Sequence, residues 1–312
     1  MTIPGREGQT FAGPSAIARW SSFVKLPHTV FALPFALTGV VLASREVMPT
    51  VGQVGWVVLA FTAARFTAMA FNRIVDRDVD ARNPRTRLRE IPSGALLVGQ
   101  AKLSVVIAGV LFILASWMLN PLCGMLSPIA LAWVLFYSYC KRFTRWSHLV
   151  LGLGLGIAPV GGYLAVTGTW SEPAWMLPVL AMAVMTWSGG FDILYALQDV
   201  AFDRANGLFS LPGALGAPKA LRIARVLHLC TVVLLAMVGA ATASGLLYAI
   251  GVAVVALLLA YEHSLVTADD LTKLDAAFFT MNGVISISFF TFVLLERVFH
   301  LPSLTQLLTG AA

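Results

Sequence analysis

VGQVGWVVLAFTAARFTAMAFNRIVDRDVDARNPRTRLRE, residues 51–90, joins two opposite kinds of sequence without a linker. Residues 51–71 are apolar or small but for Gln53, Thr62, Arg65 and Thr67. Residues 72–90 then carry six arginines, three aspartates and a glutamate, in a chain of which only 12 % is charged. An apolar run of about 20 residues is what a helix needs to cross the hydrocarbon core of a bilayer. The stretch therefore predicts a membrane span that runs directly into a charged segment at the membrane surface.

The rest of the chain repeats the first half of that pattern. Its 312 residues are 58 % hydrophobic, with mean hydropathy +0.83. Soluble domains are about 45–50 % apolar and about 25 % charged, so a soluble fold is excluded and an integral membrane protein is expected. Alternating ten-residue patterning of the β-barrel kind is absent, so the spans are helical. Nine are expected, over 23–44, 51–71, 96–118, 122–140, 148–167, 174–197, 219–240, 244–264 and 275–297. The fold class is an all-α, polytopic membrane bundle, a single domain over 1–312 without a hydrophilic domain or low-complexity linker. The C-terminal LPSLTQLL is amphipathic and expected at an interface. No basic region precedes an early apolar core and cleavage site, so no cleaved signal peptide is expected, and the first span serves as its own insertion signal. Cys123, Cys140 and Cys230 lie far apart and form neither a disulfide framework nor a metal spacing.

The net charge of +6 would suit nucleic acid, but its position does not. With the N-terminus cytoplasmic, the outside keeps only Arg45 and Arg297 and Arg65 lies within a span. Every other lysine and arginine falls inside, as membrane topology requires. The expected partner is membrane lipid, with no nucleic acid, and nine spans put the C-terminus outside.

Topology does not explain the acids. Asn72, Asp76 and Asp80 are four residues apart, which on a helix is one face. A second set, Asp192, Tyr195, Asp199 and Asp203, ends the sixth span, at the same side of the membrane. Either set alone could be a solvated helix end with ordinary Asp–Arg pairs. Like charges four apart destabilise a helix, however, and converging carboxylates need a compensating cation. The ligands are all oxygen, which selects Mg²⁺ or Ca²⁺ over zinc. Mg²⁺ takes one or two carboxylates and completes its shell with water and phosphate oxygens, so a bridged diphosphate is the expected ligand. Arg73, Arg77, Arg82, Arg85, Arg87, Arg89, Lys141 and Arg142 could neutralise the remaining phosphate charge. With apolar walls open to lipid, such a site fits a lipid diphosphate. The small residues of GLGLGIAPVGG (152–162) serve either close helix packing or room for a long chain.

These two motifs, Asn72-x3-Asp76-x3-Asp80 and Asp192-x2-Tyr195-x3-Asp199-x3-Asp203, resemble the signatures of the UbiA superfamily of intramembrane prenyltransferases. Arg65, seven residues before Asn72, and YSYCKRFT (137–144) after span four extend the resemblance over nearly the whole chain. SFVKLPHTVFALPFALTG, NRIVDRDVDARNPRT and FDILYALQDVAFD are most similar to the branch that prenylates aromatic acids for ubiquinone or menaquinone biosynthesis, the 4-hydroxybenzoate polyprenyltransferases and the enzymes of the futalosine route.

The resemblance implies transfer of a polyprenyl group from polyprenyl diphosphate to an aromatic acid in a bacterial-type inner membrane, with the site facing the cytoplasm. It implies Mg²⁺ at Asp76, Asp80, Asp199 and Asp203, assisted by Asn72, with Asp192 in the same cluster. Catalysis is expected from the four aspartates with Tyr195. Diphosphate is expected on Asn72, Arg73, Arg77, Arg87, Lys141, Arg142 and Arg204, and the acceptor's carboxylate on Lys25 or Arg65. Lys25 is equally well read as a snorkelling anchor, and His28 and His148 as structural. One departure stands out: where many relatives have Gly-x-Lys-Ser, this chain has Gly207-Leu208-Phe209-Ser210, so an expected phosphate cation is missing. Another superfamily acceptor, such as haem or another lipid, is the nearest alternative. A cation-coupled transporter is a distant one, because the acids cluster at span ends on one side.

Overall fold

The computed structural model describes residues 15–268, 270–272, 274 and 280–299. Arg6, Lys273, the His28 side chain and the LPSLTQLL piece fall outside it. The described residues are helical nearly throughout. A short helix, α1 (Ala16–Phe23), precedes α2 (Leu26–Ala43), α3 (Val51–Val75), the short α4 (Arg77–Arg82), α5 (Val98–Leu119), α6 (Pro121–Cys140) and α7 (Ser147–Thr167). Next come α8 (Met176–Ala196), short α9 (Val200–Ala205) and α10 (Leu211–Leu215), then α11 (Ala217–Ala241), α12 (Leu246–Leu265) and α13 (Asn282–Phe299). Among the described residues eight helices are long and apolar enough to cross a membrane. The first of the nine expected spans, 23–44, falls on α2, whose apolar part, Ala32–Ala43, is shorter than a span.

Helix limits follow local chemistry. Thr50 caps α3 in a reciprocal pair with Gln53. Asn120 caps α6 through the Cys123 amide at 2.9 Å and donates its own amide to the Leu164 carbonyl of α7 at 2.8 Å. α7 stops at Gly168, whose φ of 68° favours glycine. The long helices then follow one another around a ring, from α3 through α5, α6, α7, α8, α11, α12 and α13 to α2, which closes on α3. α2 also crosses to α7, and α8 is the most buried span.

In a membrane, helices gain little from hiding apolar surface and associate through close packing. Here α7 is the close-packing element. A Cβ built on Gly152 or Gly156 would lie 2.4 Å from the Met185 or Ala181 carbonyl oxygen of α8. On another face, one on Gly162 would lie 2.1 Å from the Ala36 oxygen of α2. Far from the acids, Arg45 and Arg297 fasten the other end. Arg45 pairs with buried Glu296 at 2.7 Å, and Arg297 donates to Ser44 Oγ at 3.0 Å. These are the two arginines that the charge pattern puts outside.

Gly156→Val is expected to destabilise the bundle by about 1–3 kcal/mol, the usual cost of overpacking. Thermal unfolding in detergent checks it against Gly55→Val, at an exposed glycine with open space around it, where no comparable loss is expected.

Candidate active site

Both acid motifs sit where a helix breaks. The α3 ladder continues across the junction, with the Asp76 amide on the Asn72 oxygen at 2.9 Å and the Asp80 amide on the Asp76 oxygen at 2.7 Å. Asp76 itself leaves helical geometry at φ −91°, ψ 3°. In the second motif α8 tightens into a 3₁₀ turn, Leu197–Asp199, and Asp199 takes φ −101°, ψ 0° before α9 begins. This sparsely allowed region is common at active sites. The tighter turn changes the phase between Asp192 and Asp199.

Each acid meets a different partner. Asn72 donates to Asp76 Oδ2 at 3.0 Å, and Arg142 reaches Asp76 Oδ1 at 3.0 Å. Arg89 holds Asp80 at 2.7 Å. Arg85 grips both oxygens of Asp199, at 3.0 and 2.5 Å, and Asn83 adds a third bond at 3.2 Å. Asn83, Arg85 and Arg89 belong to the loop that follows α4, so this loop ties the first motif to the second. The ordinary Asp–Arg pairs allowed by the sequence do exist, yet they are not solvated: Asp80, Asp199 and Asp203 are 5, 8 and 4 % exposed. Among the described residues, no three such side chains stand close enough in this arrangement to share one metal ion.

Lys141, just past α6, lies among the acids. Burial alone would lower its pKa. The fields of Asp192, Asp203, Asp199 and Asp76 outweigh that and raise it, so the ammonium stays charged. The Asp76 carboxyl is raised by burial, with Lys141 and Arg142 opposing. The backbone amide of Phe209 donates to the Lys141 carbonyl at 2.8 Å. The segment that departs from the family pattern is thus sewn beside Lys141, with the Phe209 ring left exposed.

The remaining predicted residues divide. Tyr195 accepts from Arg85 at 3.2 Å, and Lys25 Nζ lies 5.8 Å from the Tyr195 ring centre. Lys25 is buried with a left-handed φ of 47°, so it does not snorkel. Arg73 is buried in the last turn of α3. Arg77 turns to Asp78 and the Ile74 carbonyl, and Arg204 to the Gly213 carbonyl at 2.7 Å. In this arrangement Arg77 and Arg204 are held by backbone carbonyls, while Arg87 reaches solvent.

His148, read as structural, is tied to Asp192. Its Nδ1 lies 2.6 Å from Asp192 Oδ2, while Nε2 accepts from the Leu211 amide at 3.3 Å. That amide fixes the tautomer: Nδ1 carries the proton and donates to Asp192. The rarity of an ionisable residue in a span was the one sequence signal.

Beside the acids, α3, α5, α6 and α7 enclose an apolar cavity of about 210 Å³. Arg65 and Tyr137 are among its few polar linings. Arg65 lies seven residues from Asn72, about 10 Å along α3, and its buried Nε has no hydrogen bond.

The sequence pattern of the UbiA prenyltransferase family matches residues 32–284. A 4-hydroxybenzoate octaprenyltransferase of Sodalis glossinidius is 29 % identical over 250 residues, 80 % of this chain and 84 % of that one. The apo structure of a UbiA homolog from Aeropyrum pernix K1 superposes with a TM-score of 0.79 at 30 % identity, covering 86 % of this chain and 98 % of that one. A UbiA homolog from Archaeoglobus fulgidus, bound to DMAPP and Mg²⁺, shares the fold with a TM-score of 0.71 at 18 % identity, over 91 % of this chain and all of that one. On its sequence and its fold, this chain belongs to the UbiA prenyltransferase family.

Proposed function

We propose that this chain transfers a polyprenyl group from polyprenyl diphosphate to an aromatic acid, 4-hydroxybenzoate or a hydroxynaphthoate, in quinone synthesis. One observation supports this most: two acid motifs, far apart in sequence, close around Lys141 beside an apolar cavity lined by Arg65, whose Nε is buried without a hydrogen bond. The mouth suits a diphosphate and the cavity its hydrocarbon. On the charge asymmetry, the mouth faces the cytoplasm.

The donor set fits Mg²⁺. It is all oxygen, and Asp80 Oδ2 is buried without a hydrogen bond. Asp76, Asp80, Asp199 and Asp203 would hold Mg²⁺ ions, one or two carboxylates to an ion, with Asn72 assisting and Asp192, oriented by His148, in the same cluster. Bound there, Mg²⁺ supplies charge neutralisation for a leaving diphosphate.

The protein's own groups do the rest. Lys141 and Arg142, with Arg73 and with Arg85 and Arg89 of the loop, bring positive charge to the diphosphate. Their contacts strengthen as the allylic C–O bond breaks, so they favour the transition state. The apolar walls keep water from the allylic cation. An electron-rich ring carbon attacks it, and loss of the ring proton restores aromaticity. Arg65 anchors the acceptor carboxylate, and Lys25, above Tyr195, is the second candidate. Tyr195 orients the ligand from beneath Arg85.

Purified protein supplied with polyprenyl diphosphate, Mg²⁺ and each aromatic acid should release diphosphate and form prenylated acid. Asp76→Asn or Asp199→Asn should lower turnover by about 10²-fold or more, and full turnover in both variants would end the proposal. Arg65→Met should raise the KM for the acid by roughly tenfold with a smaller change in kcat. Loss of the Asp192 hydrogen bond in His148→Ala should reduce turnover, and His148→Gln, whose amide can both donate and accept, should restore part of it.

A further inference from the structure

The glycines of α7 are of two kinds. Those at 152, 156 and 162 are required by neighbouring backbones, as described above. Gly154 and Gly161 are not. A Cβ on Gly161 would meet nothing within 4 Å, and one on Gly154 would meet the Val134 methyl at 3.5 Å, an ordinary contact. Glycine in a helix interior is less favourable than alanine, so at these two positions it costs stability without a packing return. Both line the apolar cavity. They are seven residues apart, which puts them on nearly one face with about 10 Å between them. α7 begins at the acids, where His148 meets Asp192. A chain anchored there by its head group passes Gly154 first and Gly161 second. Arg65, with its unpartnered Nε, lines the same cavity and points independently to an occupant.

We propose that Gly154 and Gly161 set the length of prenyl chain that this protein accepts, as two successive points along the wall where the absent side chains leave room for hydrocarbon. This rests on the cavity being the prenyl site. A leucine at Gly161 blocks the far part of the path and spares short chains. A leucine at Gly154 blocks it nearer the diphosphate and spares only shorter ones.

The test is Mg²⁺-dependent binding of geranyl, farnesyl, geranylgeranyl and octaprenyl diphosphates to the full chain in nanodiscs, followed by titration. Gly161→Leu should keep the wild-type affinity for the shorter members and weaken the longest by at least about tenfold. Gly154→Leu should move that break to a shorter chain, and Gly154→Ala in the same direction by less if the leucine variant does not fold. Gly55→Leu, on an exposed glycine outside the cavity, should leave the profile unchanged. Equal weakening at every length, or no change in either cavity variant, would overturn the proposal. Binding is independent of the acceptor. Wild-type protein that binds prenyl diphosphates but transfers to no aromatic acid contradicts the proposed function alone, and protein that binds none contradicts both.

Discussion

Like charges do not gather inside a membrane protein unless something neutralises them, and the acid-bearing end of this bundle is organised around that constraint. Asp76, Asp192, Asp199 and Asp203 all act on one ammonium, that of Lys141. Around it each acid has a further charged or hydrogen-bonding partner: Arg142 for Asp76, Arg89 for Asp80, Arg85 for Asp199, His148 for Asp192 and Ser210 for Asp203. Removing one partner of a buried pair leaves an uncompensated charge, which is far costlier than the pair is stabilising. The arrangement therefore fixes six elements relative to one another: α3, the α4 loop, α6, α7, α8 and α9.

In the rest of the bundle α7 uses its glycines in two ways. Gly152, Gly156 and Gly162 let the backbones of α8 and α2 approach, while a Cβ at Gly154 or Gly161 would meet no backbone. The same small residues thus draw the helices together on one side and leave a cavity on the other. At the far end Arg45, Glu296, Arg297 and Ser44 tie α2 to α13, which closes the ring without contributing to the acid site.

Much of this could be read from the sequence. Spans of bilayer length, the two acid motifs and the basic residues around them follow from hydropathy and four-residue spacing, which are local properties. What could not be read depends on contacts between distant segments. The 3₁₀ turn at Leu197–Asp199 leaves no mark in the four-residue spacing. Arg85 and Arg89 were two arginines among six until the loop brought them to Asp199 and Asp80. His148 has no sequence partner, because Asp192 and Leu211 are brought to it by packing. The glycine-rich segment of α7 allowed two explanations, and only the neighbours of each Cβ position separate them.

The central claim is that the two motifs act as one diphosphate site. A double-mutant cycle on Asp76 and Asp199 tests it most directly, with diphosphate release from polyprenyl diphosphate and 4-hydroxybenzoate as the readout. Groups that act as a unit are strongly non-additive, so the account predicts that Asp76→Asn with Asp199→Asn is scarcely slower than either single variant. Losses that multiply as independent factors, or a single variant that keeps wild-type turnover, would contradict it.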